Sequence, residues 1–81
     1  MLQLKDIIGY LNVTDNCRID TVKPDGTSED PYAYEGSVFR IPWVYLDHYL
    51  FNNKGNFEAI GVFINSDGQS CFDITLCEQP Y

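Results

Sequence analysis

The sequence predicts a small α+β domain: an antiparallel sheet of about four strands with two short helices, in the order α-β-β-α-β-β. Three observations carry this expectation. Apolar residues recur at helical spacing near the N-terminus, later stretches alternate with period two, and two Gly-containing turns separate strand-like runs. Two hairpins can join edge to edge into one antiparallel sheet, leaving the helices to cover a face. At 81 residues the chain has the length of one domain, 1–81, with 79–81 as a tail.

Leu4, Ile7, Ile8 and Leu11 fall at i, i+3, i+4 and i+7, which predicts a helix with one buried stripe. Gln3, with Asp6 three residues later, marks its start, and Gly9 weakens so short an element. Asn12 to Asn16 is a polar connection. Cys17 to Val22 alternates and carries β-branched residues, as a strand does. Lys23-Pro24-Asp25-Gly26-Thr27 then has turn chemistry, with Pro at the second position and Gly at the fourth. Ser28 to Pro31 prolongs the loop, made negative by Glu29 and Asp30. The second strand runs from about Tyr32 to Phe39, with Gly36 at a bulge or a close approach.

Pro42 suits the first position of a helix, where its missing N–H costs nothing. The helix is expected to run to about Leu50, with Trp43, Leu46 and Leu50 on one stripe and Tyr45 and Tyr49 beside it. Asn52-Asn53-Lys54-Gly55-Asn56 ends it, with residues suited to positive φ. Phe57 to Asn65 is the third strand, near-continuously apolar. Ser66-Asp67-Gly68-Gln69 is a hairpin turn, and Ser70 to Glu78 is the fourth strand. On it Phe72, Ile74 and Leu76 face one way, and Cys71, Asp73, Thr75 and Cys77 the other.

Twelve Asp and Glu against five Lys and Arg leave a net charge of −7. The basic residues Lys5, Arg18, Lys23, Arg40 and Lys54 are scattered, so no run neutralises a row of phosphates. Direct nucleic-acid binding is therefore disfavoured, and an anionic membrane would repel the chain. No segment approaches the length of apolar residues that spans a bilayer, and the N-terminus lacks a signal-peptide run. Three cysteines, Cys17, Cys71 and Cys77, are an odd number in a chain poor in Cys, which points to reduced thiols in a cytosol. Asn12-Val13-Thr14 matches a glycosylation sequon, but without a secretion signal it is a chance match.

Motifs for chemistry are sparse. Cys71 and Cys77 stand six residues apart on one strand, about 20 Å, too far to share a zinc ion. Asp25-Gly26 and Asp67-Gly68 lack the repeated ligands of a calcium loop. His48 is the single imidazole, and a nucleophile beside it would need an orienting third group. Glu35, Asp47, Glu58 and Asp73 offer carboxylates, but no spacing fixes a catalytic pair. Both helix starts lack the Gly-rich turn of a phosphate site. The expectation is no enzyme, no cofactor and no metal.

The residues between Tyr34 and Phe51 carry half of the chain's aromatic rings and its only Trp. A short helix turns one stripe inward, and these rings occupy more than one. Some are expected to pack against something outside the monomer. Trp43, Tyr45, Tyr49 and Phe51 are the candidate anchors, since aromatics dominate desolvated contact centres. Glu29, Asp30, Asp67 and Asp73 are the candidates for complementary charge toward a basic protein surface. In the alternative reading Arg18, Arg40, Tyr34 and Trp43 form an aromatic pocket that sandwiches a nucleobase.

Three segments taken together carry a resemblance: Leu4-Lys5-Asp6-Ile7-Ile8-x-Tyr10-Leu11, Tyr34-Glu35-Gly36-x-Val38, and Ile41-Pro42-Trp43-x-x-Leu46-Asp47-x-Tyr49-Leu50. The pattern resembles small uncharacterised proteins encoded by bacteriophages and mobile elements of Gram-positive gut bacteria. It covers most of residues 4–50 and, more loosely, the closing hairpin, and it transfers no functional residues. What the resemblance implies is an accessory or anti-defence protein of the host bacterial cytosol. Such a protein would inhibit a host protein by occupying its surface, and the alternative is a sponge for a signalling nucleotide. Self-association as a dimer is expected beside either role.

Overall fold

The computed structural model describes residues 1–51 and 60–81. In chain order it has a helical turn α1 (Leu4–Ile7), a 3-10 turn (Ile8–Tyr10), β1 (Asn16–Val22) and β2 (Ser28–Ser37). Two further 3-10 turns (Val38–Arg40 and Trp43–Asp47) lead to β3 (Tyr49–Leu50), β4 (Ile60–Ile64) and β5 (Ser70–Cys77). The α+β class holds, with a sheet of five strands among the described residues.

The sheet is mixed, which corrects the expected antiparallel arrangement. β1 and β2 form an antiparallel hairpin, and so do β4 and β5. The two hairpins join through β1 and β5, which run parallel with Cys17 beside Phe72, Ile19 beside Ile74 and Thr21 beside Leu76. This register sets the most apolar positions of both strands side by side on one face. The other edge of β5 is shared end to end: β4 takes Ser70 to Ile74, and β3 takes Leu76 and Cys77.

Both hairpin turns form where Asp-Gly chemistry predicts them, and both have the same geometry. In the first, Gly26 N–H donates to Lys23 O at 2.8 Å and Lys23 N–H to Thr27 O at 2.9 Å. In the second, Gly68 N–H donates to Asn65 O at 3.0 Å and Asn65 N–H to Gln69 O at 2.9 Å. Gly26 and Gly68 sit at φ +88° and +78°, the left-handed position that follows a type I turn in a three-residue hairpin. Asp25 and Asn65 brace these turns by accepting backbone N–H groups through their side chains. The Thr27 N–H and O–H bonds hold the Asp25 carboxyl below the usual carboxylate range.

Three element boundaries differ from expectation. β2 runs from Ser28 to Ser37, so Ser28 to Pro31 is strand rather than loop, and Val38 and Phe39 leave the strand for a 3-10 turn. The register of β2 jumps between the Ile19–Tyr34 and Thr21–Asp30 pairs, and at such a bulge on an outer strand Pro31 need not donate a ladder bond. The expected N-terminal helix holds α-geometry for one turn and then tightens to 3-10. At its start the Asp6 carboxylate accepts the Gln3 N–H at 2.8 Å, and Leu4 is fully buried.

The third difference is the largest. Pro42 to Leu50 is not a helix but a 3-10 turn, Trp43–Asp47, that ends in strand β3. Trp, Val, Tyr and His are middling helix formers, and the alternative offers sheet pairing on both sides. Leu50 N–H donates to Leu2 O and Leu4 N–H to His48 O, each at 2.9 Å, while Tyr49 and Leu50 pair with Cys77 and Leu76 of β5. The expected turn at 52–56 and the start of the third strand at 57–59 lie outside the described residues.

One sheet face holds the main core: Cys17, Ile19, Ile74, Leu76 and Leu50, roofed by Leu4, Val38 and Ile41. Ile7, Ile8, Leu11, Tyr45 and Leu46 pack around it, half-buried. On the opposite face Val22, Cys77 and Phe51 form a smaller buried cluster at one end. No described helix is long and apolar enough to cross a membrane.

Candidate functional site

The segment that follows β2 builds the most unusual surface. Val38 and Ile41 are driven into the core, and Tyr45 and Leu46 pack against it, so the chain is pinned on either side of Pro42. A 3-10 turn brings every third residue onto the same side. With those positions inward, Phe39, Pro42, Trp43 and Val44 are left facing water. Trp43 is 86% exposed, although Trp is highly buried on average. Phe39 N–H donates to Val13 O at 3.1 Å, which ties the main chain at Val13, itself exposed, to this segment. The exposed apolar side chains of this region are Val13, Phe39, Pro42, Trp43 and Val44, with Arg40 over the Phe39 ring at 5.3 Å.

The other expected anchors are engaged inside the molecule to different degrees. Tyr45 is half-buried; its hydroxyl donates to Ala33 O at 3.2 Å, and its ring meets His48 edge-on with centroids 5.3 Å apart. Tyr49 is half-buried within β3. Phe51 is 7% exposed and packs against the Tyr81 ring at 4.6 Å. Its expected place on a docking surface is corrected, because strand pairing of Leu50 turns the next side chain under the open face. Tyr81, expected to be a tail residue, seals that end by donating its hydroxyl to Leu50 O at 2.7 Å.

The acidic candidates do not gather. Glu29 and Asp30 lie on β2 beside the β1–β2 turn, and Asp67 lies at the tip of the β4–β5 turn. The β1–β5 register puts these at opposite ends of the sheet. Asp73 is in neither patch. It sits mid-strand on the open face, where its Oδ2 accepts Arg18 Nη2 at 3.3 Å.

Arg18 is the hub of that face. Its guanidinium stacks over Phe63 at 4.2 Å and lies 6.0 Å from the Tyr32 centroid. The hydrogen bond to Asp73 raises its pKa further above an already high value. Burial, followed by the neighbouring Asp73 charge, pushes the Asp20 carboxyl upward, while Thr75 donates its hydroxyl to Asp20 at 3.2 Å. Asp73 Oδ1 is buried and has no hydrogen-bond partner among the described residues. The arrangement is one ion pair, Arg18 with Asp73, set beside the Asp20–Thr75 hydrogen bond.

The four residues of the alternative pocket fall apart accordingly. Tyr34 pairs with Ile19 on the core face, whereas Arg18 points from the other side of the sheet. Tyr34 and Arg40 do share an open groove with Thr14 and Phe39, but the Tyr34 hydroxyl donates to Ser37 O at 2.7 Å. Burial raises the Tyr34 phenol, with the Cys17 thiol contributing in the same direction. Trp43 is on the exposed ridge.

His48 is buried, and its Nδ1 has no partner among the described residues. Cys17, Cys71 and Cys77 are buried free thiols, and burial, with Cys71 nearby, pushes Cys17 up to about 11. Among the described residues no three His, Cys, Asp or Glu side chains come close enough to hold a metal ion. Sequence reasoning missed Val13, Phe39 and Val44 as surface residues. The alternation places Phe39 in a strand, and only the break after Ser37 takes it out of the sheet. In comparison with known proteins the chain matches no family model, no curated protein and no solved structure.

Proposed function

We propose that this chain is a non-enzymatic binding module that docks on another protein through the ridge of Val13, Phe39, Pro42, Trp43 and Val44. The observation that carries this reading is the 86% exposure of Trp43 among exposed apolar neighbours. Removing roughly 200 Å² of a Trp from water is worth about 5 kcal/mol of gross binding free energy. Large apolar patches rimmed by polar groups mark interaction surfaces. The net charge of −7 favours a partner with a basic face. The resemblance to phage and mobile-element proteins directs the search to host proteins, defence proteins among them, that such a module would inhibit by occupying their surface.

Because Trp43 is the single tryptophan, it reports its own burial. The test is capture from a bacterial lysate with wild type, Trp43→Ala and Phe39→Ala, followed by titration of the purified captured protein. Expected is a partner lost in both variants, whose binding shifts Trp43 fluorescence to the blue. Binding that survives both substitutions, or leaves the emission where it was, overturns the reading. The nucleotide-sponge alternative draws on the Tyr34–Arg40 groove alone, and no specific observation favours it.

A further inference from the structure

The two outer edges of the sheet are built differently. β2 carries Glu29, Asp30, Pro31 and Glu35 along its length, with breaks in register. Charges, proline and bulges are how natural proteins keep an edge strand from pairing with another chain. β4 has none of these. Ile60-Gly61-Val62-Phe63-Ile64 contains no charge and no proline in a chain of net charge −7. It pairs with β5 on one side, and no described strand lies along the other. Val62 and Ile64 are 67% and 65% exposed.

We infer that β4 is a homodimerisation edge, pairing antiparallel with β4 of a second copy about a two-fold axis at Val62. The strand is self-complementary in that register. Ile60 lies opposite Ile64 of the other copy, Val62 opposite itself, and Gly61 opposite Phe63. Opposed residues share a sheet face, so the Ile and Val side chains of both copies form one apolar stripe. On the reverse face each Phe63 stands beside a glycine. Space above Gly61 is open, with no atom within 4 Å of where a Cβ would lie. No other register of these five residues matches aromatic to glycine and branched to branched. A second copy is the occupant because a two-fold axis at Val62 makes the strand complementary to itself, branched residue against branched and Phe63 against Gly61, and an isologous interface requires such self-complementarity. Charge points the same way: this edge is the neutral strip along which two chains of like charge can meet.

The interface is small. Val62 and Ile64 of both copies contribute roughly 400 Å² of exposed apolar surface, well below a standard interface. The dimer is accordingly weak, forming at tens of micromolar or above and dissociating on dilution. The proposal does not depend on the Trp43 ridge, which lies on a different segment.

Self-pairing at Val62 has a distinctive consequence. Two like charges directly opposite each other repel, and opposite charges attract. Sedimentation from about 1 μM to about 1 mM should show wild type dimerising. Val62→Glu alone and Val62→Lys alone should each weaken the dimer at least tenfold, while an equimolar mixture of the two restores it. Both substitutions are at an exposed position, and unchanged far-UV circular dichroism with an unchanged Tm checks that the fold is kept. Trp43→Ala should dimerise like wild type. A wild type that stays monomeric at about 1 mM overturns the inference. So does dimerisation by either charged variant alone at wild-type strength, or a mixture that stays monomeric. Loss of the dimer in Trp43→Ala would move the interface to the ridge and overturn it too. Partner capture by Val62→Glu reports on the ridge separately.

Discussion

Replacing Arg18 by Ala tests whether this residue holds the open face together or waits for a ligand. The magnitude follows from three contacts. The pair with Asp73 spans 3.3 Å, with the two side chains 29% and 36% exposed. Two charges at that range attract by about 5 kcal/mol at an effective dielectric of 20 and about 1 in water, and solvent screening puts the net near 1 kcal/mol. Stacking on Phe63 at 4.2 Å contributes about 1 kcal/mol more. Truncation also leaves Asp73 without its cation, and one of that carboxylate's oxygens already lacks a partner, which adds about 1 kcal/mol.

Arg18→Ala is therefore expected to destabilise the fold by roughly 2–3 kcal/mol, a fall in Tm of about 10–20 °C for a chain of this length. Asp73→Asn should cost less, because it also removes the charge that pushes Asp20 upward. Urea unfolding of the two single variants and the double variant gives a coupling of about 1 kcal/mol between the positions. A coupling near zero, with Arg18→Ala as stable as wild type, would show that the ion pair contributes nothing. Arg18 would then be free to serve a ligand.

Phe51→Ala should cost about 3–4 kcal/mol by emptying the space between Val22, Cys77 and Tyr81. Trp43→Ala should stay within about 0.5 kcal/mol in the same denaturant assay. Gly36→Ala would set a Cβ 2.6 Å from the Tyr34 hydroxyl oxygen. That ring must swing off its bond to Ser37, so a loss of about 1–3 kcal/mol is expected, and Tyr34→Leu in the same chain should relieve part of it. Stability should also fall as pH rises from 9 toward 11. In that window the unfolded Cys17 thiol, with its ordinary value of 9.0, gives up its proton, while the folded one holds it until about 11. The loss is about 2–3 kcal/mol, and Cys17→Ala should flatten that part of the profile.

The parts of the fold that were legible depend on near neighbours in the chain. Lys23 to Thr27 and Asn65 to Gln69 fold as turns because Asp or Asn, a type I bend and a left-handed Gly settle the geometry within five residues. The alternation of Ser70 to Cys77 gave its two faces correctly, with Ile74 and Leu76 buried and Asp73 beside Arg18. The illegible parts depend on distant partners. Nothing local to Cys17–Val22 says that it runs parallel to a strand about fifty residues on. In Pro42 to Leu50 the i, i+3, i+7 spacing and the leading proline fit a helix as well as they fit a 3-10 turn running into a strand. What decides is Leu2 and Leu4 on one side and Leu76 on the other, whose backbones take up the hydrogen bonds of His48 to Leu50.

Ring composition has the same ambiguity at the site. Trp43 and Phe51 are both large, apolar and eight residues apart, and composition alone treats them as equal anchors. Phe51 gains Tyr81, Val22 and Cys77 as neighbours because β3 delivers it beneath the sheet. Trp43 gains none of these, because Ile41 and Leu46 hold its turn with that position outward. Charge was still less legible, since patches depend on strand register: Glu29 and Asp30 end up a sheet length from Asp67, and Asp73 is bound to Arg18. On the proposed function, docking would be led by apolar contact at Trp43 and its exposed neighbours, with long-range attraction from the whole −7 charge rather than from any acidic cluster. Raising salt should accordingly slow association with a basic partner far more than it speeds dissociation. A partner whose release quickens with salt while its capture rate stays constant would place the contact on the carboxylates instead.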